Sequence, residues 1–211
     1  MIIVRTNCDL ATSYTYAWTS VIITAAEQRG INVTVVEGAA VNMQNFARRV
    51  EKVKPELIMF NGHGTKSSFF DNDWKELVNL ESSRILKNTI TFARACDCLV
   101  ELGVKAVAEG CIAFIGYHKK FMIPRWHSKT CLPLEDVAAK PVMECSNRVV
   151  LELLKNKTVG ETVNNAHRWT EQQLIHLIYS REPYSAAALQ AVVHNDSSLN
   201  FVGDALAKMS W

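Results

Sequence analysis

Four-residue apolar runs alternate with amphipathic stretches over the first half of the chain. Ile2 to Arg5 begins as a β-branched run and predicts a strand. From about Thr15 to Arg29, Trp18, Val21, Ile22, Ala25 and Ala26 recur at helical spacing, and Gly30 suits the C-terminal cap. Asn32 to Glu37 predicts a second strand. Met43 to Lys54 predicts a helix with Phe46, Ala47 and Val50 on one face, stopped by Pro55. Leu57 to Phe60 is apolar throughout, as a strand covered on both faces should be. This β-α-β-α-β alternation predicts a right-handed, wound parallel sheet.

The second half is patterned less regularly. Residues 65–88 fit either a helix or an irregular excursion over the sheet. Asn88 to Ala93 and Cys111 to Tyr117 predict two more strands, with a short helix after CDCLVEL. His118 to Pro133, with Lys119, Lys120, Arg125, Lys129 and two prolines, reads as a long exposed loop. Glu135 to Lys155 and Val159 to about Tyr179 predict helices, and Leu199 to Val202 a last short strand. Neither an internal repeat nor a low-complexity linker is visible. The fold class is α/β: a three-layer α-β-α sandwich around a mostly parallel sheet, in one domain spanning 1–211.

Composition narrows the function classes. A net charge of +2 makes no field strong enough to favour nucleic acid as a partner. The N-terminus turns polar after four residues, unlike an export signal. No apolar stretch approaches the roughly 20 residues of a membrane span. The expectation is a cytoplasmic protein. None of the six cysteines forms a C-x-x-C pair, so neither a structural zinc site nor a disulfide framework is expected.

The candidate chemistry lies in NGHG, residues 61–64, directly after the apolar run 57–60, and in Cys96, 33 positions after His63. Ends of parallel strands are where open α/β sheets place their chemistry. A cysteine acts as a nucleophile through its thiolate, and a nearby histidine can supply the base. Gly62 and Gly64 leave room around His63, and the amides of Gly64 and Cys96 could hold an oxyanion. A helix starting just after Cys96 would lower its pKa. The bland alternative is that His63 caps a turn and Cys96 fills the core. His118 and His127 fall in the basic loop, His167 and His176 are nine apart on a helix, and His194 falls in a polar turn.

The apolar strand ending in His63-Gly64, together with ARAC at 93–96, resembles the caspase–gingipain clan (clan CD) of cysteine peptidases. LGVKAVAEGCIAFIGY at 102–117, NKTVGE at 156–161 and LNFVGDALAKM at 199–209 are similar to gingipain-type and CHAT-type members. The resemblance implies a caspase-like fold, a His63–Cys96 catalytic dyad, no cofactor, and a protein or peptide substrate. The His63-to-Cys96 separation is shorter than the roughly 50 residues of caspases. In the clan the residue two before the nucleophile lines the specificity pocket, which here is Arg94. Its charge favours an acidic or small polar residue before the cut. Arg5 is expected at the same edge, and Asp9 or Asp97 would either neutralise Arg94 or floor a pocket for basic residues. The rival reading is a non-catalytic caspase-like module that binds a partner, including a regulatory or activating protein, through the same cleft.

Overall fold

A six-stranded sheet organises the chain, and the computed structural model describes residues 1–210. In chain order the elements are β1 (Ile2–Arg5), α1 (Leu10–Glu27), β2 (Thr34–Glu37), α2 (Met43–Val53), β3 (Leu57–Asn61), β4 (Ser68–Phe70), β5 (Glu76–Asn79), β6 (Ile90–Arg94), α3 (Val104–Ala108), β7 (Ala113–Tyr117), α4 (Lys140–Leu153), α5 (Val159–Tyr179), α6 (Ser185–Asp196) and β8 (Leu199–Gly203). The sheet order is β2-β1-β3-β6-β7-β8, parallel except for β8, which runs antiparallel to β7.

Strand side chains alternate between two cores, as the twofold period of a strand requires. Ile3, Met59, Phe92 and Ile115 pack with Ile22 of α1, Val149 and Val150 of α4 and Val163 of α5. Val4, Ile58, Phe60 and Phe114 pack on the other face with Phe46 of α2, Ala106 of α3 and the β4–β5 hairpin. Helices thus cover both faces of a mostly parallel sheet. A third cluster joins Tyr14 and Trp18 of α1 to Met143 of α4 and Ala188 of α6. Among the described residues no helix is long and apolar enough to cross a membrane.

Three elements differ from their sequence pattern. Residues 68–79 form the antiparallel hairpin of β4 and β5. Its turn is organised by Asp71, whose Oδ1 accepts the amides of Asp73 (2.8 Å) and Lys75 (2.9 Å), while Trp74 takes a left-handed φ of 61°. Aspartate often ties a turn to its own following backbone in this way. Secondly, α6 occupies a stretch for which no element is predicted, and His194, expected in a polar turn, lies in its last turn. Its run AAALQAVV has high helix propensity but no clear polar face.

Thirdly, the basic loop after β7 is pinned down. The carboxylate of Asp136 is fully buried and accepts the Tyr14 hydroxyl at 2.5 Å and the Trp126 amide at 2.9 Å. Trp18 Nε1 donates to Pro133 O at 2.9 Å. Further back, Asn195 brackets Met122, accepting its amide at 2.9 Å and donating to its carbonyl at 2.8 Å.

The register matters most for chemistry. Arg5 pairs with Asn61 and Asn61 with Arg94, so β1, β3 and β6 finish level at one carboxyl edge. The segments leaving these strands carry Asp9, His63 and Cys96.

Candidate active site

Asn61 ends β3 with its side chain buried, donating from Nδ2 to Val4 O at 3.3 Å and accepting Arg94 Nε at 2.9 Å. The chain then nests against β6. A Cβ on Gly62 would lie 2.2 Å from Thr6 Oγ1, and one on Gly64 would lie 2.3 Å from Cys98 Sγ and 3.0 Å from Cys96 O. Glycine at 62 thus lets the loop pack on Thr6, and glycine at 64 lets it approach the Cys96 turn this closely.

β6 closes at Arg94, two residues before Cys96, and Asp97 turns the chain through a left-handed φ of 57°. This sends Cys98 inward, fully buried, with Sγ 3.7 Å from Ser68 O. A wide turn comes next over Leu99–Gly103, closed by Gly103 N donating to Cys98 O five residues back at 2.9 Å, and continues into α3. Lys66 O accepts the Leu102 amide at 2.7 Å, which ties the loop after His63 to the helical segment after Cys96.

His63 is held on two sides. Its Nε2 lies 2.7 Å from Asp9 Oδ2, and its ring stacks on Trp74 at 4.3 Å between centroids. Asp9 is the N-cap of α1 in a capping box with Thr12: Asp9 Oδ1 accepts the Thr12 amide at 2.8 Å and hydroxyl at 2.9 Å, which leaves Oδ2 facing His63. Burial works to raise the Asp9 carboxyl, but the bonds from Thr12 and His63 outweigh it and hold the group below the usual carboxylate range.

Cys96 and His63 line one cavity of about 60 Å³, together with Thr12, Thr15, Arg94 and Phe121. Cys96 Sγ accepts the Phe121 amide at 3.3 Å. The thiol is pushed up from its ordinary value, chiefly by burial; the Phe121 amide and Lys120 oppose this, and Asp97 adds to it. The expectation that a helix end just after Cys96 lowers this thiol is therefore corrected. Desolvation dominates, and a tight turn and a wide helical turn separate Cys96 from the five-residue α3. Among the described residues the amides of Gly64 and Cys96 donate to no protein acceptor; the bridge between Gly64 and Phe69 uses the neighbouring amides of Thr65 and Phe70.

The four residues assigned to a specificity pocket part company. Arg94 lines the cavity, yet it is fully buried and makes four hydrogen bonds, to Asn61 Oδ1 (2.9 Å), Asn147 Oδ1 (2.6 Å), Thr15 O (3.1 Å) and Thr19 Oγ1 (3.0 Å). No carboxylate is among its partners, and burial lowers it to about 10, still charged at neutral pH. Arg5 does not share the cleft: it bonds Glu37 Oε2 through Nε at 2.6 Å and stacks over Tyr16 at 4.0 Å, drawn to the β2 edge by that carboxylate. Asp97 lies outside the cavity lining because the left-handed turn directs it elsewhere, and Asp9 is committed to His63 and not to Arg94.

Pattern reading missed the Asp9–His63 pairing. The signal available was Asp9-x-x-Thr12 opening the helix directly after β1. Helix caps and strand order together would have put it beside His63.

No protein-family model matches this sequence, and no curated protein matches it. Six chains of solved structure do match. Among them is the Arg-specific cysteine proteinase gingipain R, with a TM-score of 0.67 at 13% identity over 98% of this chain. The chain spans 46% of that proteinase's length. The likeness establishes a caspase-like α/β fold for this chain.

Proposed function

We propose that the chain is a cysteine endopeptidase in which Cys96 is the nucleophile and His63 the general acid–base. The observation that supports this best is that His63, tied through Nε2 to Asp9, lines the same cavity as Cys96. An ionised carboxylate only accepts, so the neutral imidazole carries its proton on Nε2 and keeps the Nδ1 lone pair as base. No hydrogen bond joins His63 to Cys96 at rest, and such contacts commonly tighten only with substrate bound.

In the cycle Nδ1 takes the thiol proton as Sγ bonds to the scissile carbonyl carbon. The carbonyl electrons move onto oxygen, where the amides of Gly64 and Cys96 donate to the oxyanion. Collapse breaks the C–N bond, and His63 returns the proton to the leaving amine. Water, deprotonated by His63, then attacks the thioester; the C–S bond breaks and the thiol re-forms. Side chains, backbone amides and water suffice for every step.

Arg94 gives the cavity floor a positive charge with no counter-anion among the described residues, and neither Asp9 nor Asp97 offers a carboxylate to a basic side chain there. This supports cleavage after acidic or small polar residues of a protein or peptide substrate. The rival reading, a non-catalytic caspase-like module that binds a partner through this cleft, draws on the raised Cys96 thiol and its capture by Phe121. A peptide library varied before the scissile bond separates the two. Cleavage led by Asp, Glu, Ser or Asn supports the peptidase and its pocket. Dominant cleavage after Arg or Lys contradicts the role given to Arg94, and failure to cut any member favours the binding module.

A further inference from the structure

Next to the proposed dyad, and separate from its sulfur, stand three side chains with the donors of a metal site. Cys8, Asp9 and His63 each offer one ligand atom, and the three atoms lie within 4.8 Å of one another. They come from two segments at the same sheet edge, the turn after β1 and the loop after β3. Cysteine spacing does not reveal such a site, because only one of the donors is a thiol.

The group is built and not merely crowded. Thr12 Oγ1 accepts the amides of both Cys8 and Asp9 at 3.0 Å, fixing their backbone. The same hydroxyl and the Thr12 amide occupy Asp9 Oδ1, so Oδ2 alone is presented. Trp74 stacked on His63 restricts the imidazole plane. Neighbours that orient ligands in this way are the usual supporting shell of a metal centre. His63 and Cys8 are partly exposed and Asp9 is exposed, so an ion has a path in.

We propose that Cys8, Asp9 and His63 bind a thiophilic divalent cation, with zinc the best match, and that this ion reversibly silences His63. Thiolate, imidazole and carboxylate are a zinc-type donor set, whereas calcium and magnesium require oxygen ligands. Tetrahedral bonds to zinc set donor atoms about 3.3–3.8 Å apart. The Asp9–His63 contact, now 2.7 Å, therefore opens by about 0.6–0.8 Å, within side-chain reach. Thiolate and carboxylate neutralise the double positive charge, and water takes the fourth position. On binding, Cys8 releases its thiol proton to solvent. The metal takes the Nε2 lone pair, and the ring proton moves to Nδ1, leaving no base to face Cys96. The silencing rests on the peptidase reading; the binding does not.

The test is a titration of metal-free protein with Zn²⁺ by calorimetry and with Co²⁺ by absorption. We expect one ion per chain and a thiolate-to-cobalt charge-transfer band, both unchanged in Cys96→Ala. Cys8→Ser loses the band and weakens zinc binding by at least about 10-fold, since even a supporting neighbour is worth about 10–100-fold. Asp9→Asn, which preserves the helix cap, also weakens it. Where peptide hydrolysis is measurable, zinc inhibits the wild type and spares Cys8→Ser. The proposal is overturned if no stoichiometric ion binds, or if the band survives Cys8→Ser and disappears in Cys96→Ala. The latter result would put the metal on the Cys96–His63 pair.

Discussion

The main-chain amide of Phe121 donates to the sulfur of Cys96 across 3.3 Å, so the loop after β7 rests on the proposed nucleophile. That loop is not free to leave cheaply, because Asn195 clamps Met122 and Asp136 anchors Trp126. The resting site is therefore closed over a neutral thiol that burial has pushed upward.

One consequence concerns reactivity without substrate. Only the thiolate alkylates, so the Cys96 labelling rate should still be climbing at pH values where an ordinary cysteine, with its pKa of about 8.5, has levelled off. Mass-mapped iodoacetamide labelling across pH measures this. A rate that plateaus in the acidic range would show a thiolate at rest and contradict the desolvated site.

Asp9 couples two tasks that substitution can separate. Asparagine caps a helix as well as aspartate does, but its amide can donate to Nε2 and favour the wrong imidazole tautomer. Asp9→Asn should keep the melting temperature within a few degrees and lower turnover by about 10²–10⁴-fold. Asp9→Ala should lose the same activity and, with the cap gone, about 1 kcal/mol of stability. Wild-type turnover in Asp9→Asn would remove Asp9 from the mechanism.

The close approach of Gly64 to Cys98 predicts a coupling. A methyl on Gly64 meets Cys98 Sγ first, at 2.3 Å, with Ala95 Cβ at 3.0 Å behind it. Gly64→Ala should destabilise by about 1–3 kcal/mol through overpacking. Cys98→Ala alone should cost about 1 kcal/mol. Combined, they should cost clearly less than their sum, because removing the sulfur vacates the space the methyl needs. Denaturant midpoints of the four proteins give the coupling energy, and strict additivity would contradict the contact.

The range of the forces involved decides how much of the fold and site is legible in the sequence. The wound sheet can be read because the runs 2–4 and 57–60 are apolar on both faces and the helices between them carry a stripe. NGHG and ARACDC stand out because glycine beside histidine, and cysteine after a buried strand, are local patterns. Local pattern fails where a distant partner decides. Arg94 reads as a pocket cation facing the substrate, yet Asn147 of α4 and Thr15 and Thr19 of α1 supply acceptors that hold it in the core. Arg5 is drawn off by Glu37 of β2. Asp9 reaches His63 only through the β1–β3 register. Residues 68–79 form a hairpin because Asp71 organises a turn that a helical reading of Phe69, Trp74 and Val78 overlooks.

In the proposed function Cys96 breaks peptide bonds with His63 as its proton carrier. The most direct measurement is hydrolysis of the best-cut library peptide by wild type, Cys96→Ala and His63→Ala, with folding of each checked by its thermal transition. Measurable turnover is expected of the wild type, none of Cys96→Ala, and a loss of at least about 10²–10⁴-fold in His63→Ala, all three melting alike. Cleavage of the same bond by folded Cys96→Ala would contradict this role for Cys96.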